Sequence, residues 1–130
     1  MRLGPALATD PARRRLLVVD DAYDVPLLLR ALLRRLGRTD VDCVVAEDGA
    51  QGLAEAQASA PDLVLCDVHM PRMDGPTLCD RLRASGFHGP IVLMTSTPQT
   101  VPPCVADAVI DKARLLDDAL GPLLERWLPA

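Results

Sequence analysis

Residues 63–67 read Leu-Val-Leu-Cys-Asp, a run of four apolar residues that ends in a carboxylate. A similar arrangement recurs at residues 16–20, Leu-Leu-Val-Val-Asp, and at residues 91–95, Ile-Val-Leu-Met-Thr. Runs that are apolar on both faces predict strands that are covered on both sides, as they are in a parallel sheet. Residues 41–46 and 108–110 predict two further strands, and the mixed composition of residues 41–46 is typical of an edge strand. The sequence therefore predicts five parallel strands.

Helical patterns separate the predicted strands. In residues 24–36 valine and leucine recur at intervals of three and four, which is the spacing of an amphipathic helix. Further helices are predicted at residues 50–58, 77–84 and 115–128, the last one kinked or split at Gly121-Pro122. Strands that alternate with helices predict a doubly wound α/β fold. A single early edge strand favours the flavodoxin-like order 2-1-3-4-5.

Length and composition narrow the functional classes. The chain has 130 residues, which suits one folded domain, predicted over residues 15–130. Residues 1–14, in which Pro5, Asp10 and Pro11 interrupt a short apolar patch, are predicted to form a flexible tail. A net charge of −4 and an aromatic content of 2% disfavour nucleic-acid binding by charge or by base stacking. No apolar run reaches the length of a membrane span, and the four cysteines lack the close spacing of redox or zinc motifs. These features predict a cytoplasmic protein.

Polar residues follow the predicted strands at the edge where doubly wound sheets bind their ligands. In strand order they are Asp20 and Asp21, then Asp67, Thr95 and Lys112, the last being the only lysine of the chain. Three converging carboxylates need a cation, and oxygen ligands without a histidine or cysteine cluster favour Mg²⁺. A carboxylate can also accept a phosphoryl group. The residues alone leave two chemistries open, a Mg²⁺-dependent phosphoryl acceptor and a phosphohydrolase.

Residues 67–75 carry the most specific pattern of the chain, Asp-Val-His-Met-Pro-Arg-Met-Asp-Gly. Together with the acidic pair at residues 20–21, the threonine and the lysine, this pattern resembles the receiver domain of bacterial response regulators. The resemblance extends over about residues 15–128. Within the pattern, Asp74-Gly75 is interpreted as a turn, since both residue types favour turns.

The resemblance implies a role for each polar residue at the strand ends. Asp67 would be the phosphoacceptor, and Thr95 and Lys112 would contact the phosphoryl group. A Mg²⁺ ion would be bound by the carboxylates of Asp20, Asp21 and Asp67 and by the backbone carbonyl of His69.

The resemblance also implies the partners. The donor would be a phosphohistidine on a sensor histidine kinase or on a histidine phosphotransfer protein. The domain would catalyse the transfer and its own slow dephosphorylation without being a turnover enzyme. Its signal would leave through protein–protein contact, with no direct binding of nucleic acid or membranes. The chain is interpreted as a stand-alone regulator or an excised domain.

Three departures from the family pattern concern the last third of the chain. Ala113 follows the lysine where the family usually has proline, and Val109 stands where an aromatic residue is common. Residues 96–111 are about five residues shorter than usual and contain three prolines, so the helix before the fifth strand is predicted to be short, irregular or missing. These departures motivate an alternative, a receiver-like interaction module that does not need phosphorylation.

Overall fold

The computed structural model describes residues 12–130, in which five parallel strands form one sheet. The strands are β1 (Arg14–Val19), β2 (Val41–Ala46), β3 (Leu63–Asp67), β4 (Ile91–Thr95) and β5 (Ala108–Asp111). Their order is β2-β1-β3-β4-β5, which confirms the predicted fold class and strand order. Arg14, which the prediction placed in the tail, is the first residue of β1, and residues 1–11 of that predicted tail lie outside the described residues.

In the described part of the chain, three regular helices connect successive strands and one irregular helix follows β5, and together they cover the sheet. They are α1 (Asp24–Arg35), α2 (Gly49–Ala58), α3 (Gly75–Ala84) and a C-terminal helix, α4. The last one consists of Lys112–Arg114, a π-helical turn at Leu115–Ala119, and Leu120–Trp127. None of the helices in residues 12–130 is both long enough and apolar enough to cross a membrane.

The irregular turn of α4 precedes Gly121-Pro122, whereas the sequence predicted the break at that pair. Pro122 has no N–H to bond to the carbonyl of Asp118, four residues earlier. That carbonyl lies in the π-helical turn, whose wider hydrogen-bonding pattern accommodates the missing donor. Pro122 then falls in the first turn of Leu120–Trp127, where a proline is tolerated.

The sheet separates two apolar layers. Leu16 and Val18 of β1 pack in the layer beneath α1 and α4, and Leu17 and Val19 pack in the layer beneath α2 and α3. Successive side chains of a strand point to opposite faces, so a fully apolar strand serves both layers. This double coverage is what the continuous apolar runs of the sequence predicted.

The connection between β4 and β5, residues 96–107, is called the β4–β5 segment below. Its only helical element is a 3-10 turn at Pro98–Thr100, which confirms the prediction of a short, irregular or missing helix. Prolines within the segment lack the N–H groups that a regular helix needs. Val101, Cys104 and Ala106 are partly buried against the layer beneath α2 and α3, so irregular chain covers the sheet here.

Candidate functional site

The ends of β1 and β3 bring three carboxylates together. Val19 of β1 is paired with Cys66 of β3, so the residues that follow, Asp20 and Asp67, lie side by side at the same edge of the sheet. Asp21 joins them, and one carboxylate oxygen from each of the three residues lies within 4.8 Å of the others. Asp20 and Asp67 are buried, with 1% and 6% of their surfaces exposed, whereas Asp21 is exposed. The cluster is therefore open to solvent on one side only.

Lys112 adds a positively charged side chain to the cluster. It follows β5 as the first residue of α4, and its Nζ lies 2.9 Å from Asp20 Oδ2 and 3.4 Å from Asp67 Oδ2. The preceding residue, Asp111, accepts a hydrogen bond from the Ala113 N–H at 3.0 Å and so caps the start of the helix. The end of β5 and this cap direct the lysine toward the carboxylates.

Burial and the neighbouring charges together determine the pKa values of Asp67 and Lys112. Burial raises the pKa of Asp67, and the neighbouring negative charge of Asp20 raises it further, against the lowering effect of Lys112. Burial alone would lower the pKa of Lys112, but the close contact with the negative charge of Asp20 outweighs it, and the pKa is raised. The lysine therefore stays charged, while Asp67 holds its own charge less readily than a solvated carboxyl does.

The hydrogen bonds of the carboxylates leave one buried oxygen unsatisfied. Asp20 Oδ1 accepts from the Ala22 N–H at 2.8 Å, and Asp67 Oδ1 accepts from the His69 N–H at 3.4 Å. Among the described residues, Asp20 Oδ2 is the only buried side-chain oxygen or nitrogen without a well-formed hydrogen bond, and its close contact is the ion pair with Lys112. A buried, charged oxygen with spare lone pairs is a fitting ligand for a hard cation.

The charge balance of the cluster points to the same kind of ligand. Three carboxylates and one ammonium leave a formal charge of −2 when all are ionised, since three negative charges meet one positive charge. Like charges this close oppose one another's ionisation unless a cation compensates them. A divalent ion with a preference for oxygen would restore neutrality, so the residues present fit Mg²⁺.

Thr95 ends the strand beside the cluster. In the β3–β4 register Asp67 is paired with Met94, so Thr95 lies one residue beyond the acidic residue on the neighbouring strand. Its side chain is buried, and its hydroxyl oxygen accepts a hydrogen bond from the Thr97 N–H at 3.2 Å. Thr95 Oγ1 also lies 3.4 Å from Thr97 Oγ1. The structure thus places Thr95 at the edge of the site with its hydroxyl engaged by the β4–β5 segment.

His69 is placed differently from the other predicted residues. Its side chain is exposed, and its recorded contact with the cluster is the backbone N–H to Asp67. Asp20, Asp21, Asp67 and Lys112, in contrast, meet in the cluster through their side chains. The predicted role of the His69 carbonyl remains a prediction.

Asp74 and Gly75 form a helix start instead of the turn that the sequence predicted. Asp74 caps α3, its Oδ1 accepting from the Thr77 N–H at 2.8 Å, and this bond lowers the pKa of Asp74. Gly75 is the first residue of the helix, and a Cβ built there would lie 2.7 Å from the backbone oxygen of Asp67. The glycine therefore lets α3 pack directly on the chain at Asp67, a contact that a turn pattern alone does not reveal.

Comparisons with known proteins identify a family whose sequence pattern this chain shares. A family model described as the response regulator receiver domain matches residues 16–112. The DNA-binding response regulator MtrA of Mycobacterium tuberculosis is 42% identical over 93 residues, which is 71% of this chain and 39% of MtrA. The alkaline phosphatase synthesis transcriptional regulatory protein PhoP of Bacillus subtilis is 36% identical over 83 residues, 64% of this chain and 33% of PhoP. The chain thus spans between a third and two fifths of the length of these relatives.

Similar solved structures show the same fold. The response regulator protein TrrA of Thermotoga maritima, in complex with Mg²⁺ and BeF, superposes with a TM-score of 0.75 at 26% identity, covering 88% of this chain and 99% of that one. The chemotaxis protein CheY4 of Vibrio cholerae superposes with a TM-score of 0.73 at 24% identity, covering 90% of this chain and all of that one.

Proposed function

This chain belongs to the response regulator receiver domain family, and on that premise we propose that it accepts a phosphoryl group on Asp67 from a phosphohistidine donor. Receiver domains of two-component systems take phosphoryl groups from histidine kinases and typically bind Mg²⁺. The donor of this chain would be a sensor histidine kinase or a histidine phosphotransfer protein.

One observation carries the proposal: three carboxylates and a single ammonium share one partly buried edge of the sheet. Within this cluster Asp67 combines three properties that a phosphoacceptor needs. It lies at a strand end, it is next to a fixed positive charge, and its carboxylate is close to two others that can hold a metal ion. Asp20 lies deeper, with its side chain fully buried, and Asp21 lies outside the lysine's contacts with the cluster.

Mg²⁺ would be held by the carboxylates of Asp20, Asp21 and Asp67, together with the backbone carbonyl of His69. When bound, the ion would screen the negative charge of the incoming phosphoryl group. The protein residues supply the rest of the chemistry. An Asp67 carboxylate oxygen attacks phosphorus, the P–N bond of the phosphohistidine breaks, and its electron pair returns to the imidazole nitrogen.

Lys112 and Thr95 would receive the transferred group. The ammonium is already 3.4 Å from Asp67 Oδ2, so it would form an ion pair with a phosphoryl oxygen attached at Asp67. The Thr95 hydroxyl would donate a hydrogen bond to a second oxygen, since its oxygen atom is the acceptor in its bond with the Thr97 N–H. These contacts stabilise the charge that builds up on the phosphoryl oxygens.

Intact-mass measurement tests the proposal. The chain is incubated with Mg²⁺ and acetyl phosphate, and a gain of one phosphoryl group is expected. Asp67→Asn should abolish the gain, while the matched variant Asp80→Asn, which changes an exposed aspartate of α3, should retain it. Omission of Mg²⁺, or the variant Asp21→Ala, should slow the gain. A gain that persists in Asp67→Asn would overturn the assignment of the phosphoacceptor.

The second candidate is an interaction module of the same fold that works without phosphorylation. The irregular β4–β5 segment and the exposed Val109 in place of an aromatic residue favour it. It predicts no mass gain with any phosphodonor. Continuous release of phosphate over many equivalents would instead indicate a phosphohydrolase.

The signal is proposed to leave through protein–protein contact, without direct binding of nucleic acid. MtrA is named as a DNA-binding protein and PhoP as a transcriptional regulator, but the chain spans at most two fifths of either. A titration of the chain against duplex DNA at low salt tests this part. Saturable binding would contradict it.

A further inference from the structure

An ion pair joins the end of α3 to the end of the β4–β5 segment. Arg83 Nη2 lies 3.0 Å from Asp107 Oδ2. Asp107 is fixed in turn at the start of β4, because its Oδ2 accepts a hydrogen bond from the Ile91 N–H at 2.8 Å and its own N–H donates to the Ile91 carbonyl at 2.8 Å. The helix and the segment therefore end together at the amino end of β4.

Both α3 and the β4–β5 segment run against the direction of the strands. α3 begins at Gly75, whose N–H donates to the Val68 carbonyl just beyond β3. The segment begins after Thr95, the last residue of β4, and ends at Asp107, just before β5. Since the two pack in the same apolar layer and end together, residues at similar distances from the ion pair lie opposite each other.

One cysteine of α3 and one of the segment occupy such opposite positions. Cys79 lies four residues before Arg83, which is about 6 Å, or one turn, along the same face of the helix. Cys104 lies three residues before Asp107, which is at most about 11 Å of chain. Both side chains pack in the layer beneath α2 and α3, where Cys79 is 1% exposed and Cys104 is half-buried. The fold thus brings together two thiols that are far apart in the sequence.

Electrostatic interactions agree with this placement. The pKa of Cys79 is raised to about 11, by burial first and by the nearby thiol of Cys104 second. The charges of Arg83 and Asp107 act on the same thiol, so the ion pair and both cysteines lie within electrostatic reach. Because the thiolate is the nucleophile, Cys79 is a poor first attacker, and a reagent from solvent would react at the more accessible Cys104.

Cys66 is the other thiol near Cys79, and it is much less available. It is 1% exposed at the end of β3, its thiol donates to the Asp67 backbone carbonyl at 3.2 Å, and burial raises its pKa. Cys43 packs against the opposite layer, beneath α1 and α4. Cys104 is therefore the partner of Cys79 that a reagent from solvent can reach.

We propose that Cys79 and Cys104 form a redox-sensitive thiol pair, which a peroxide converts into a disulfide between α3 and the β4–β5 segment. The Cys104 thiolate attacks an oxygen of hydrogen peroxide, an S–O bond forms and the O–O bond breaks, and the released hydroxide takes up the proton that Cys104 lost. The Cys79 sulfur then attacks the Cys104 sulfur, the S–S bond forms and the S–O bond breaks, and the second hydroxide leaves with the Cys79 proton. The two thiols lose two electrons, and hydrogen peroxide is reduced to two waters.

This modification goes beyond the proposed function and does not require phosphorylation of Asp67. The disulfide would hold the segment to α3 at a second point besides the ion pair of Arg83 and Asp107. Since the segment has a 3-10 turn in place of a regular helix, the bond would fix irregular chain against the sheet. A cross-link also restricts the unfolded chain, so the oxidised protein should unfold at a higher temperature than the reduced protein.

Peptide mass spectrometry after oxidation tests the proposal. The full chain is treated with a small molar excess of hydrogen peroxide, free thiols are blocked with iodoacetamide, and the chain is digested with trypsin without reduction. Cleavage after arginine and lysine leaves Cys79 in residues 73–81 and Cys104 in residues 84–112, while the other two cysteines share residues 39–72. We expect a cross-link between residues 73–81 and 84–112 that dithiothreitol reverses.

Substitutions test the pair and the ion pair that aligns it. Cys104→Ser and Cys79→Ala should each abolish the cross-link, whereas Cys43→Ser, the control at the far edge of the sheet, should retain it. Arg83→Met should slow cross-linking by about two- to five-fold, the effect typical of a partly exposed ion pair. Arg81→Met, which removes an exposed positive charge from the same helix, should leave the rate unchanged.

Several results would overturn the pair. One is oxidation of Cys104 to the sulfinic acid while Cys79 stays reduced. Another is a disulfide that joins Cys104 mainly to a different cysteine or to a second chain. A cross-link that forms equally fast in urea that unfolds the chain would also contradict the proposal, because the fold would then not be what brings the two thiols together. The mass gain at Asp67 is measured separately, so either proposal can fail without the other.

Discussion

Removal of the Lys112 ammonium should destabilise the protein at neutral pH, and the loss should shrink in acid. Lys112→Met keeps most of the aliphatic stem and removes the charge that faces Asp20 and Asp67. At an effective dielectric constant of about 20, a contact of 2.9 Å corresponds to an attraction of about 6 kcal/mol before desolvation is counted. Removal of one partner from a buried ion pair typically costs ~3–5 kcal/mol, because the remaining charge stays buried and unpaired.

We expect Lys112→Met to lower the free energy of unfolding by about 3 kcal/mol, the lower end of this range. Protonation of Asp67 can relieve part of its repulsion with Asp20 once the lysine is gone. The pKa of Asp67 is already raised, by burial first and by Asp20 second. A carboxyl with a raised folded-state pKa favours the folded state below its unfolded pKa, and this contribution is lost as the pH rises through the folded pKa. Without Lys112 this pKa should rise further, so mildly acidic buffer should recover part of the lost stability.

Urea denaturation at neutral and mildly acidic pH, with and without Mg²⁺, measures these effects. Arg114→Met is the matched control, because it removes a positive charge from an exposed position in the same helix. Mg²⁺ should stabilise the Lys112→Met protein at least as much as the wild type, since a competing positive charge is gone. An equal loss of stability at both pH values would refute this reasoning about the cluster.

Two further variants test the chain around Asp67. Gly75→Ala should lower the free energy of unfolding by about 1–3 kcal/mol, the usual cost of overpacking, because the new Cβ would lie 2.7 Å from the Asp67 carbonyl oxygen; denaturant unfolding measures this, and unchanged stability would contradict the close packing. Asp74→Ala should cost about 1 kcal/mol through loss of the cap on α3. The stability cost of Asp74→Ala should disappear in acid. The capping bond lowers the pKa of Asp74 in the folded protein, so its contribution to stability is lost as the pH falls through that pKa. A cost that stays constant with pH would show that the carboxylate charge is not involved.

Much of the fold could be predicted because its signals are local. A strand covered on both faces must be apolar at every position, and residues 63–66 display this directly. Parallel strands place their carboxyl ends at one edge, so the meeting of Asp20 and Asp67 follows from where each run stops. The prolines of residues 96–103 likewise predict the absence of a regular helix, because they remove backbone donors.

The remaining features depend on geometry that residue types do not specify. The contact between Thr95 and Thr97 requires the particular course of the chain into the 3-10 turn. Asp74-Gly75 suits both a turn and a helix start, and only the closeness of the Asp67 backbone distinguishes them. The π-helical turn also precedes Pro122 in the chain, because the proline lacks the N–H that would bond to the carbonyl of Asp118, four residues earlier.

The close contact at Gly75 has a mechanical consequence. With no side chain between them, the first turn of α3 bears directly on the backbone of residues 67 and 68, and the Gly75 N–H bonds to the Val68 carbonyl at 2.8 Å. Any displacement of one backbone toward the other would bring backbone atoms into collision. A shift of the Asp67 backbone toward α3 would therefore have to move the helix itself, because no side chain lies between them that could rotate away.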